Sequence, residues 1–259
     1  MTVAYKDNQA YLADGYYIGA TCGPVANRLS NAQFKIDDNE YKVSANNGDN
    51  CLHGGESNFS NSFWKIDKNT LSENHVKFSP NVADLEEGFP GNRVITVDYH
   101  LTENNQLMIT YTGQTDKTTP INMTNHAYFS LGNPSCMTLS LNIASSSFLE
   151  RFDDGIPTGE IKSVRALGSN IRQSHVIKDI IENSVYSQVC QDKGLDHCFI
   201  LDNSSIEQPK AVLYSKENGV KLKVYSDQPT MQIYTGNYLA GPFSKHAGVC
   251  LECHGFADA

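Results

Sequence analysis

The sequence predicts an all-β protein, a large antiparallel β-sandwich with few short helices. Three observations carry that expectation: stretches in which apolar and polar residues alternate, turn-forming clusters between them, and weak helical periodicity. Along the chain, Asp37-Asp38-Asn39 divides Phe34 and Ile36 from Tyr41 and Val43. Ile95, Val97, Tyr99 and Leu101 alternate with Thr96, Asp98 and His100, and Glu103-Asn104-Asn105 separates them from Leu107–Tyr111. Met137, Leu139, Leu141 and Ile143 alternate with Thr138, Ser140 and Asn142. Lys216-Glu217-Asn218-Gly219 leads into Val220, Leu222 and Val224, which alternate with Lys221 and Lys223. A period of two with one apolar face makes half-buried strands, and the residues between them suit hairpin turns. The best helical stretch, Val176–Glu182, supports one or two turns. No repeat or Pro- or Ser-rich linker interrupts the pattern, so residues 1–259 are expected to form one domain.

Composition narrows the function classes. Hydrophobic residues make up 39% of the chain, enough to fill a core and to exclude disorder. The 29 acidic residues outnumber the 20 basic ones, for a net charge of -9, and no basic run is present. That balance argues against nucleic acid, anionic membranes and highly phosphorylated ligands as partners. Seven cysteines, an odd number at irregular spacing, point to reduced thiols rather than a disulfide framework. The N-terminal residues contain no apolar signal core and no stretch is long enough to span a bilayer, so a cytoplasmic protein is expected.

Several polar residues stand where they need a reason. His126 closes the run Pro120–His126 and precedes Tyr128 and Phe129; a catalytic imidazole and a hydrogen-bonded core histidine are equal readings. Glu252 interrupts the apolar stretch Val249–Cys253. An imidazole and a carboxylate on distant strands can serve as acid and base for one small molecule. Asn27 and Arg28 follow a glycine-punctuated segment, where a guanidinium fork suits hydroxyls, although a surface salt bridge is the commoner role. His53 precedes Gly54 and Gly55, which would let backbone approach a ligand closely. Asp196 enters an apolar strand, where turn residues are common, and Gln232 alternates with Met231 and Ile233, the pattern of a solvent-facing side chain. Cys250-Leu-Glu-Cys253-His254 spells the attachment pattern for c-type haem, but no export signal accompanies it; zinc also lacks a second cysteine pair. No metal or other cofactor is expected.

Singly these fragments are weak, but in order they resemble the aldose 1-epimerase (galactose mutarotase) family. The matching blocks include Gly19-Ala-Thr21, Ala26-Asn-Arg28, Asn46-Asn-Gly48, Leu52-His-Gly-Gly55 and Glu87-Gly-Phe-Pro-Gly91. Further along are Asn122–His126, Ile156-Pro-Thr-Gly-Glu160, Leu195-Asp-His197, Gln232–Asn237 and Leu251-Glu252. The resemblance implies the family's β-supersandwich with a sugar cleft on one sheet face. It implies Glu252 as general base and His126 as general acid, with Asn27, Arg28, His53, Asp196 and Gln232 as sugar contacts. The reaction it implies is interconversion of the α and β anomers of hexoses such as galactose and glucose, with no cofactor. Both ends look shorter than the family pattern, Pro24 stands where an arginine is common, and Cys253-His-Gly-Phe-Ala257 departs from the usual continuation. The alternatives are a hexose-6-phosphate 1-epimerase, which the acidic balance disfavours, a non-catalytic carbohydrate-binding protein and a purely structural sandwich. Monomer and homodimer are equally compatible with the sequence.

Overall fold

The computed structural model describes residues 1–203 and 205–258; Ser204 and Ala259, both inside the expected domain, lie outside the described residues. The chain forms two compact units, Met1–Thr21 with Thr124–Ala259, and Cys22–Met123. The larger unit holds a six-stranded antiparallel sheet. Its spatial order is Tyr128–Phe129, Val249–His254, Thr230–Tyr234, Asp196–Leu201, Ser145–Arg151 and Pro157–Ser163. A four-stranded sheet in the same unit runs His175–Val176, Ser140–Ile143, Ala211–Ser215, Val220–Val224. Phe199, Met231, Ile233 and Leu251 from the first sheet and Leu141, Ile143, Ala211 and Leu213 from the second belong to one buried cluster. That packing is the sandwich that the alternation predicts. Each fully buried Leu, Ile, Met or Phe side chain contributes about 1.5–3 kcal/mol of transfer free energy.

The smaller unit is built on the hairpin Arg93–Leu101 and Leu107–Thr115, with Leu107 opposite Leu101. His75–Ser79 pairs with the outer side of the 93–101 strand, as does the short Asn81–Val82. Ile95 and Val97 face a cluster with Phe59, Val82 and Met123, while Val94 on the other side is exposed. The Asp37–Asp38 turn joins Gln33–Ile36 to Asn39–Lys42, with Asp37 in the left-handed region at φ 52°. Asp tolerates that conformation because its short side chain bonds locally.

Two expectations needed adjusting. The strand expected from Met137 begins only at Ser140; residues 136–138 form a 3₁₀ turn because the Ser135 side chain accepts a hydrogen bond from the Met137 N–H. The helix expected near Val176–Glu182 is Ile177–Glu182, and a second one, Ser187–Asp192, follows it. Ser187–Asp192 buries only Val189, so it has too narrow an apolar stripe to show in the sequence.

Candidate functional site

The six-stranded sheet has two dissimilar faces. Register places Glu252 opposite Gln232, and Gln232 opposite Cys198; Cys250 lies opposite Tyr234, and Tyr234 opposite Asp196. Cross-strand partners point to the same side, so all six share one face. The alternate residues Met231, Ile233, Val249 and Leu251 point into the sandwich core. Both faces are covered here: every residue of 230–233 and 249–252 is buried. A polar side chain on such a strand therefore needs a partner.

Gln232 finds one in Asp196, to whose Oδ1 its Nε2 donates at 2.6 Å. The solvent-facing reading of Gln232 is thus corrected: a period of two identifies two faces, but not whether the second meets water. Asp196 opens the Asp196–Leu201 strand and is half-buried. Its backbone oxygen accepts from Arg151 Nε at 3.0 Å, and Arg151 is paired with Asp192. A network of side chains on neighbouring elements therefore fixes where the Asp196 carboxylate stands.

His126 follows the Thr124–Asn125 strand and is locked by its backbone, whose N–H donates to the Ala20 carbonyl and whose carbonyl accepts from the Gly19 N–H. Its ring packs among Tyr17, Tyr128 and Tyr234, with centroids at 5.7, 5.0 and 6.4 Å. Nε2 lies 3.6 Å from Glu252 Oε1, and Nδ1 lies 3.4 Å from Cys250 Sγ. Both the imidazole and the carboxylate are almost fully buried. Burial pushes the His126 pKa down to about 4, outweighing the Asp14 charge and the backbone contact that favour the cation. The ring is therefore neutral at neutral pH.

The smaller unit holds the other three residues. Arg28 is half-buried on the Arg28–Leu29 strand, and its Nε donates to Asn47 Oδ1 at 2.8 Å. That contact replaces the surface salt bridge favoured from spacing alone. Asn27 and His53 are both buried and both have positive φ, 62° and 54°. They are tied to each other: the His53 N–H donates to the Asn27 carbonyl, and the Asn27 N–H donates to His53 Nδ1 at 3.2 Å. The glycines after His53 serve the chain rather than a ligand. Gly54 has φ 96°, and a Cβ there would meet the Gly23 carbonyl oxygen at 2.4 Å.

Three residues beside His126 and Glu252 escaped sequence reasoning as neighbours of that pair: Tyr17, Tyr234 and Cys250. Cys250 was open to detection, since it lies two residues before Glu252 and a strand puts such residues on one face. The same geometry removes the haem pattern, because Cys250 and Cys253 point to opposite sides of the strand. Among the described residues no helix is long and apolar enough to cross a membrane.

Comparison with known proteins gives a consistent picture. The family described as aldose 1-epimerase matches residues 2–259. Galactose mutarotase of Bos taurus is 36% identical over 270 residues, covering all of this chain and 76% of the bovine protein. Aldose 1-epimerase of Haemophilus influenzae is 36% identical over 245 residues, covering 93% of this chain and 70% of that protein. Among solved structures, galactose 1-epimerase from Lactobacillus acidophilus superposes with a TM-score of 0.89 at 27% identity, covering 98% of this chain and 76% of that one.

Proposed function

The chain belongs to the aldose 1-epimerase family, a family of isomerases, and we propose that it interconverts the α and β anomers of aldohexoses such as galactose and glucose. The observation that carries this reading is the pair His126 and Glu252, buried on one sheet face with 3.6 Å between Nε2 and Oε1. That gap exceeds the roughly 2.7–3.2 Å of an N–H···O hydrogen bond. The two groups are close enough to act on one small molecule without being consumed by a bond to each other.

Exchange of anomers requires the pyranose ring to open. Glu252 takes the proton of the C1 hydroxyl as the C1–O5 bond breaks, and His126 delivers a proton to O5. The resulting aldehyde rotates about C1–C2, and the reverse transfers close the ring on its other face. Protons and electrons balance, so the sugar is neither oxidised nor reduced. Burial leaves the His126 ring neutral, so the acid form takes one proton from solvent, and the Glu252 carboxylate 3.6 Å away favours that cation. An imidazolium whose pKa has been depressed by burial is a strong proton donor, which suits a weakly basic ether oxygen. Gln232 and Asp196, already joined, offer an amide and a carboxylate to sugar hydroxyls.

Each proton transfer contributes about 10²–10⁴ in rate, or roughly 3–5 kcal/mol. Polarimetry of fresh α-D-galactose and α-D-glucose tests the reading, with Glu252→Gln as control. Wild type is expected to speed the approach to anomeric equilibrium, and the variant to lose about 10³-fold in kcat while still binding sugar. Equal rates for the two proteins would overturn it.

A further inference from the structure

We propose that Cys250 is a positioning residue for His126, its thiol holding Nδ1 in both protonation states that ring opening demands. The inference rests on the acid role assigned to His126 above. Its geometry stands on the strand register. Cys250 lies opposite Tyr128 on one side and Tyr234 on the other, so its side chain shares the face that carries Glu252. Sγ is 3.4 Å from His126 Nδ1, within reach of a sulfur hydrogen bond, and the sulfur is fully buried. One strand thus supplies the base and, two residues earlier, the group behind the acid.

A thiol suits that place because it both donates and accepts, weakly in each direction. With the ring neutral and its proton on Nε2, the S–H donates to Nδ1. With the ring charged, the Nδ1–H donates to sulfur. Neither state requires heavy atoms to move, so the ring keeps its aim while its charge changes. The hydrogen bond at one ring nitrogen sets what the other presents to a reactant. A carboxylate at Nδ1 would favour the charged ring alone, and a backbone N–H the neutral ring alone. The other groups facing the ring are Glu252 at Nε2, the rings of Tyr17, Tyr128 and Tyr234, the His126 carbonyl and the more distant charge of Asp14. The thiol lies on the Nδ1 side, opposite the reacting nitrogen.

The test compares Cys250→Ala with Cys250→Ser. Mutarotation of α-D-galactose is followed across pH, and the imidazole ¹⁵N resonances of His126 are recorded without ligand. Cys250→Ala is expected to lower kcat about 10–100-fold with KM within about twofold, the usual cost of removing a group that orients a functional histidine. Its Nδ1 resonance should shift away from the wild-type value. Cys250→Ser, which donates and accepts like the thiol, should keep kcat within about threefold and a bonded Nδ1. Unchanged kcat and an unmoved Nδ1 resonance in Cys250→Ala would overturn the proposal. So would equal losses in both variants with Nδ1 unmoved, since that is the signature of packing alone. If Cys250→Ala does not fold, Cys250→Ser decides, and an Nδ1 resonance identical to that of wild type despite the change of partner atom counts against the thiol. Absence of mutarotase activity in wild type would defeat the functional reading, whereas the ligand-free spectra judge the thiol contact separately.

Discussion

Two histidine–carboxylate pairs in this protein look alike on paper and differ in consequence. In the smaller unit, His75 Nε2 lies 2.8 Å from Asp98 Oδ1, with side chains 32% and 23% exposed, and Lys77 shares the same carboxylate at 3.5 Å. In the larger unit, His126 and Glu252 are 3.6 Å apart, with side chains 7% and 4% exposed. The shorter contact is the less important one. A hydrogen-bonded pair in contact with water exchanges one set of partners for another and contributes about 0–1 kcal/mol. The longer contact holds two ionisable groups out of water, and taking both from water costs stability. Folding tolerates it where the site has another use, and perturbed ionisable groups concentrate at functional sites.

Activity should separate the pairs most widely. His126→Asn and Glu252→Gln are each expected to reduce kcat by about 10²–10⁴-fold in polarimetric assays, and Asp98→Asn to leave kcat unchanged. A loss at Asp98 as large as at Glu252 would erase the distinction.

Stability against pH comes next. Burial pushes the pKa of His126 down to about 4 and, with help from Arg151, that of His197 to about 3. Both folded values lie below the unfolded one of about 6.5, so unfolding takes up protons between those limits. Stability from these groups is complete above pH 6.5 and is lost as pH falls towards 4. Between pH 6.5 and 5 the loss is about 3 kcal/mol, roughly half from each imidazole. Urea unfolding at a series of pH values measures it, and His197→Gln should flatten the slope by about half. A pH-independent midpoint across that window would contradict neutral burial of both rings.

Smaller still is the effect of Gln232→Ala, which frees Asp196 Oδ1 from its amide partner. KM for galactose should rise about tenfold with kcat within about threefold, the loss of roughly one charge-assisted hydrogen bond. Smallest is Asp98→Asn itself, expected to change unfolding free energy by less than about 1 kcal/mol.

The contrast also explains what was legible in the sequence. Strands such as 220–224 and the 93–101 hairpin arm follow from alternation because one face meets water and the other does not. On the 230–234 strand both faces are covered, and alternation between Met231, Gln232 and Ile233 could not say so. Hence Gln232 read as a surface residue although its position on the face was right. Glu252 and His126 stood out because a carboxylate and an imidazole are rare in apolar strands. Cys250 drew notice only through the haem pattern, since a buried cysteine is an ordinary core residue, although its spacing from Glu252 placed both on one strand face. Asn27 and His53 lie 26 residues apart, and their mutual bonding depends on two left-handed backbone positions that neither residue type announces.

That mutual bond has a consequence for molecular recognition. Because the Asn27 main-chain N–H donates to Nδ1, a neutral His53 imidazole carries its proton on Nε2. In that state the ring acts as a donor at Nε2, and its acceptor nitrogen is engaged by the backbone. It can greet an ether or carbonyl oxygen, or the lone pair of a hydroxyl, and it has nothing to offer a hydroxyl hydrogen. Its polarity as a contact is set by the main chain of the residue opposite it, at the end of two paired strands.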